Sequence, residues 1–154
     1  MKKIISLILC TMAILSSFTA NAESEVSVVV DGNKIQFPDQ GPVIIDGRTM
    51  VPIRSVMEAL GMKVGWDGEN NMVTVSNGES TVKLGINRNT MINEATDMMT
   101  GETMTFESEL EVAPLLINDR TCLPIRAVVE AFGIAVSWDE ETRSVMIMSD
   151  ILLC

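Results

Sequence analysis

Residues 42–75 read PVIIDGRTMVPIRSVMEALGMKVGWDGENNMVTV, and 72 positions further on residues 114–147 read PLLINDRTCLPIRAVVEAFGIAVSWDEETRSVMI. The two stretches align without a gap. Arg48 and Arg120, Pro52 and Pro124, Arg54 and Arg126, Glu58 and Glu130, and Gly61 and Gly133 fall in register. So do Trp66-Asp67 and Trp138-Asp139. A repeat of this length is one supersecondary unit written twice, and residues common to both copies are shared first of all because they fold that unit.

Within each copy the local signals run in the same order. Val43–Ile45 and Thr49–Val51 flank Asp46-Gly47, a pair that tolerates positive φ in a tight hairpin turn. Pro52 is suited to the first helical position, and Ile53, Val56, Met57 and Leu60 follow at i, i+3, i+4 and i+7 as one apolar stripe. Gly61 is placed to stop the helix in the left-handed conformation. The second copy repeats this with Pro124, Ile125, Val128, Val129, Phe132 and Gly133. Neither proline follows a Ser, Thr, Asp or Asn cap.

Alternation then predicts a strand through Met62, Val64 and Trp66, and another through Ile134, Val136 and Trp138. A polar turn and a return strand complete each unit. Before the first copy, Val26–Val30 and Asp31-Gly32 predict a further hairpin, and the bridge at 79–112 predicts a strand at Thr81–Ile86 and a hairpin around Gly101. A helix of about nine residues is marginal alone and needs a sheet to lie on. The expected fold is α+β, with antiparallel strands curled against two short helices and a pseudo-twofold between repeats spanning about 26–77 and 82–149.

The first 22 residues have the pattern of a signal peptide: Lys2 and Lys3, an apolar run from Ile4 to Leu15, and Ala20-Asn21-Ala22 as a small-x-small cleavage site. We expect cleavage after Ala22, a single domain over 23–154, and a secreted or wall-associated product. Cys10 does not follow the small residues that lipid attachment requires. No later segment approaches the roughly 20 apolar residues of a membrane span. The net charge of −10 becomes −12 once Lys2 and Lys3 are gone, which argues against nucleic acid and anionic membrane surfaces as partners.

Catalytic chemistry has little to draw on. The chain has no His and no Tyr, so the commonest general base and transition-metal ligand are missing. We expect no catalytic residue, no metal ligand set and no cofactor. Cys122 and Cys154 could form one disulfide in an oxidising compartment, or remain a core thiol and a terminal one. Met91, Met98, Met99 and Met104 cluster in the bridge; thioethers favour Cu(I), but their irregular spacing is better read as packing.

Each repeated residue has a structural and a functional reading. Arg54 with Glu58, and Arg126 with Glu130, are spaced for i,i+4 ion pairs, the alternative being a charged clamp on a ligand. Arg48 and Arg120 are expected to satisfy local acceptors, the alternative being a bound carboxylate. Trp66 and Trp138 are expected on the core face by their alternation, the alternative being an exposed platform for wall glycan. Asp67 and Asp139 are expected to accept backbone N–H groups in the turns.

The pattern from Pro42 to Asp67, P-x-I-x-x-G-R-T-x-V-P-I-R-x-V-x-E-A-L-G-x-x-V-x-W-D, recurs with small changes from Pro114 to Asp139. It resembles the copper amine oxidase N-terminal-like (stalk) domain of exported Gram-positive proteins. Asn118-Asp119 in place of Asp-Gly and the bridge are the points of departure. The resemblance implies a noncatalytic accessory domain with a sheet curled around a helix. The oxidase reaction resides in a separate large domain, on copper held by three histidines and a quinone made from tyrosine. Two roles follow as expectations: a stalk-type module of the cell envelope acting by binding or spacing, or a soluble receptor for wall glycan or a small ligand using the tryptophans or the repeated arginines. The partner would be a cell-wall polymer or another envelope protein.

Overall fold

The computed structural model describes residues 25–149, and the expected signal peptide and Cys154 lie outside them. The protein is mostly antiparallel strand in three curled sheets, with two short helices.

Each copy begins with a hairpin: β3 (Val43–Ile45) and β4 (Arg48–Pro52) in the first, β10 (Leu115–Ile117) and β11 (Arg120–Pro124) in the second. Asp46-Gly47 makes its turn at φ 49° and 73°. Asn118-Asp119, where the second copy departs from Asp-Gly, turns in the same way at φ 49° and 59°. Asn and Asp can do this because their short polar side chains tolerate the left-handed region.

The two hairpins form one sheet, β10-β11-β4-β3. At its centre β4 and β11 run antiparallel, with Val51 opposite Leu123, Met50 opposite Pro124 and Pro52 opposite Cys122. Positions 50, 51 and 52 are therefore paired with 124, 123 and 122, their own counterparts in reversed order.

Helices α1 (Ile53–Ala59) and α2 (Ile125–Ala131) follow directly from β4 and β11. Pro52 and Pro124 are the cap residues rather than the first helical positions, and each still belongs to its strand, so the chain turns from strand to helix without a linker. No side chain caps either helix. Ile53, Val56 and Met57, and Ile125, Val128 and Val129, are buried as the stripes predict. Gly61 and Gly133, at φ 73° and 74°, end the helices and return their N–H groups to the carbonyls of Glu58 and Glu130.

The copies diverge in what their second hairpins join. In the first copy β5 (Lys63–Asp67) and β6 (Met72–Ser76) continue through β7 (Ser80–Gly85), β8 (Thr90–Thr96) and β9 (Thr103–Glu109) as a five-stranded meander. In the second, β12 (Ala135–Asp139) and β13 (Ser144–Met148) meet β1 (Ser27–Val30), which carries β2 (Asn33–Lys34) on its far side. The β1–β13 pairing is parallel, with Val28 beside Val145 and Val30 beside Ile147, an exception to the antiparallel expectation. The N-terminal strand can enter there because it comes from a distant point in the chain and needs no hairpin.

The main core runs through both copies, with Met50, Val112 and Cys122 in a smaller buried cluster of their own. Val28, Val51, Val56, Met57, Val75, Leu84, Leu123, Val128, Val129 and Ile147 belong to a single buried cluster drawn from both copies, from β1 and from the bridge. Met91 joins it, but Met98 and Met99 are 79% and 96% exposed and Met104 is 53% exposed, contrary to the packing expectation. Met98 and Met99 sit in the β8–β9 turn, and Met104 lies on the edge strand, where no further element covers them.

Candidate functional site

Two clefts open on the surface, with volumes of about 690 Å³ and 670 Å³. They are built from the same positions of opposite copies. All sixteen residues lining the second cleft have a counterpart 72 positions away lining the first. The first takes Arg48 from the first copy's hairpin, with Arg126 and Trp138 from the second copy. The second takes Arg120 from the second copy's hairpin, with Arg54 and Trp66 from the first. Each cleft therefore exists only because β4 and β11 pair across the copies.

The hairpin arginines have equivalent partners. Arg48 is bridged to Glu111 and Arg120 to Asp39, all four side chains half exposed or more. Hydrogen bonding to Asp39, with the charge of Asp39 and then Asp119 behind it, holds the Arg120 guanidinium above its usual pKa. Asp39 and Glu111 are themselves 72 positions apart and lie just before the repeated stretch. Neither lies within 42–75 or 114–147, and the signal for them in the sequence is an acid at each equivalent position just upstream.

The helix arginines differ. Arg126 stands 3.6 Å from Glu130, whereas Arg54 and Glu58 form no such pair. An exposed pair in the Arg-first order gains so little that side-chain entropy can leave it unmade.

The tryptophans differ more. Trp138 is half-buried against the core and donates its indole N–H to Glu140 Oε2 at 2.6 Å. Trp66 is 46% exposed and is not part of the core, which corrects the expectation for that ring. Trp66 does lie on the apolar face of its strand, opposite Val73. That face continues past the edge of what the helices cover, so alternation alone gave the side but not the shelter.

Asp67 and Asp139 hold their turns as expected. Asp67 Oδ1 accepts from the Glu69 and Asn70 N–H groups, and Asp139 Oδ1 from those of Glu141 and Thr142. Side-chain hydrogen bonding from Asn70 and from Thr142, followed by the backbone N–H of the same residues, lowers both carboxyl pKa values.

Cys122 is fully buried, and burial pushes its thiol up to about 11; its candidate partner Cys154 lies outside the described residues. Among the described residues no three His, Cys, Asp or Glu side chains gather as a metal-holding group, and no helix is long and apolar enough to cross a membrane. What the clefts offer chemically is an indole plane, guanidinium donors and short apolar walls, suited to holding a small polar molecule.

Residues 29–147 match the family model described as copper amine oxidase N-terminal domain. No curated protein and no solved structure matches the chain.

Proposed function

The chain belongs to the copper amine oxidase N-terminal domain family, and on that premise we propose that it is a noncatalytic accessory module, exported to the cell envelope and acting there by binding or spacing. The match over residues 29–147 carries this reading, because the N-terminal domain of those oxidases is a noncatalytic module. The absence of His and Tyr supports it, since neither a histidine copper centre nor a tyrosine-derived quinone can be assembled from this sequence. Export rests on Lys2, Lys3, the apolar run and Ala20-Asn21-Ala22.

We also infer that a pseudo-twofold relates the halves, with its axis between Val51 and Leu123. The self-complementary register of β4 and β11 and the matched linings of the two clefts support it.

Fractionation of expressing cells tests the main reading. The protein is expected in the medium or wall fraction with Glu23 at its N-terminus; uncleaved protein confined to the cytosol would overturn export. Turnover of an amine with added copper would overturn the noncatalytic part.

A second reading, a receptor for wall glycan or a small ligand, is favoured by one observation: the half-exposed Trp66 lines a cleft together with Arg54 and Arg120. Sedimentation of the full chain with purified cell wall tests it.

A further inference from the structure

The two clefts share sixteen positions, eight of them filled by the same residue in both, but they are not in the same chemical state, and the first has three further lining residues, Glu130, Glu140 and Arg143. Trp138 donates its N–H to Glu140; the position equivalent to Glu140 is Gly68, so Trp66 has no such acceptor beside it. Gly68 has ordinary backbone geometry, and a Cβ there would meet only Trp66 Nε1, at 3.5 Å. Glu130 is paired with Arg126, while Arg54 makes no ion pair among the described residues. Arg143 stands where the first copy has Asn71 and lines the Trp138 cleft, but its unpartnered Nε is buried out of reach of a ligand.

The Trp138 cleft is thus occupied by its own acids. The Trp66 cleft keeps three groups unused: an exposed indole face, the indole N–H and the Arg54 guanidinium. Its two acids, Asp39 and Asp119, both act on Arg120. Among the described residues Arg54 makes no ion pair, and Glu58, four residues on, does not line the cleft.

We propose that the Trp66 cleft binds a saccharide unit bearing a carboxylate, and that Glu140 closes the Trp138 cleft to the same ligand. The apolar C–H face of a pyranose lies on the indole plane, the Trp66 N–H donates to a sugar oxygen, and Arg54 donates to the carboxylate. A volume of about 670 Å³ suits a disaccharide. This assignment rests on the receptor reading and deepens it.

The chain's two tryptophans make the test direct. The full chain carrying Trp138→Phe leaves Trp66 as sole fluorophore, and Trp66→Phe leaves Trp138. Each is titrated into the millimolar range with the N-acetylglucosaminyl-N-acetylmuramic acid disaccharide and with N,N′-diacetylchitobiose, which has similar rings without the carboxylate. Trp66 emission is expected to change saturably, with the acidic sugar binding about tenfold more tightly or better, as a charge-assisted hydrogen bond to Arg54 requires. Arg54→Ala, an exposed position, should erase that preference. Gly68→Glu should abolish the response while circular dichroism shows the fold intact.

Equal affinity for the two sugars, an unchanged preference in Arg54→Ala, or the same response from Trp138 in Trp66→Phe would each overturn the proposal. So would a flat Trp66 trace. Sedimentation of the same sample with purified wall then separates the two failures: binding there with a flat trace removes only the cleft assignment, and loss of both removes the receptor reading as well.

Discussion

Trp66 and Trp138 occupy equivalent positions in two copies of one sequence unit, yet one ring is half exposed and the other packs against the core with its N–H donated to Glu140. The unit itself does not differ much between them. What differs at the rings is the turn that follows each of them, above all Gly68 against Glu140, and the strands that the two second hairpins join. Parts of the repeat that fold the unit are kept in both copies. At the clefts the arginines and tryptophans are kept while half of the shared lining positions differ, and divergence there is where a binding function would be found.

The largest expected effect lies where the copies meet. Leu123→Ala removes a fully buried side chain from the central strand pair and should cost about 2–5 kcal/mol. Because the core is drawn from both copies, denaturant unfolding should remain one transition. Two transitions would mean that the copies are separate folding units, and the comparison between them would then be one of neighbours rather than halves.

Next come the helix-ending glycines. Gly61 and Gly133 have open space around a would-be Cβ, so only the left-handed φ opposes a side chain. Gly61→Ala and Gly133→Ala should each cost about 1–2 kcal/mol, and by similar amounts. A clear inequality in thermal melts would show that the copies already differ at the helix ends.

Exchanging the turn residues should affect stability least while altering the clefts most. Glu140→Gly and Gly68→Glu are expected to change stability by about 0.5 kcal/mol. The first should shift emission of a Trp138-only protein to the red, and the second should shift that of a Trp66-only protein to the blue. If neither moves, the acid at 140 does not set the difference between the rings.

Acid should act on both copies alike. Asp67 and Asp139 have lowered carboxyl pKa values in the folded state, so their contribution is present above the unfolded carboxylate pKa of about 4 and is lost as pH falls through the folded values. Melting temperature against pH should fall in that acid range. The fall should shrink by a similar amount in Asp67→Asn and in Asp139→Asn.

Much of each unit could be read from the chain, because its signals are local. Asp46-Gly47, the Ile53–Val56–Met57 stripe, Gly61 and the turn at Asp67 all act within a few residues of themselves. What could not be read depends on contacts between distant segments. Nothing near Val28 says that it will lie parallel to Val145, and nothing near Arg120 says that its acid is Asp39. The Trp66 ring shows the same limit at the site. Its alternation places it correctly on the strand's apolar face, but cover on that face comes from elements elsewhere in the chain, and they stop short of it. Shared residues also mask the sites: the repeat draws the eye to Arg48, Arg54 and Trp66 as one set, while each cleft is assembled from both copies.

The most direct test of the account is acrylamide quenching of the two single-tryptophan proteins, Trp138→Phe and Trp66→Phe, under native conditions. Trp66 is expected to emit further to the red and to be quenched more readily than Trp138. Equal emission and equal quenching would contradict it, since the two clefts would then be alike.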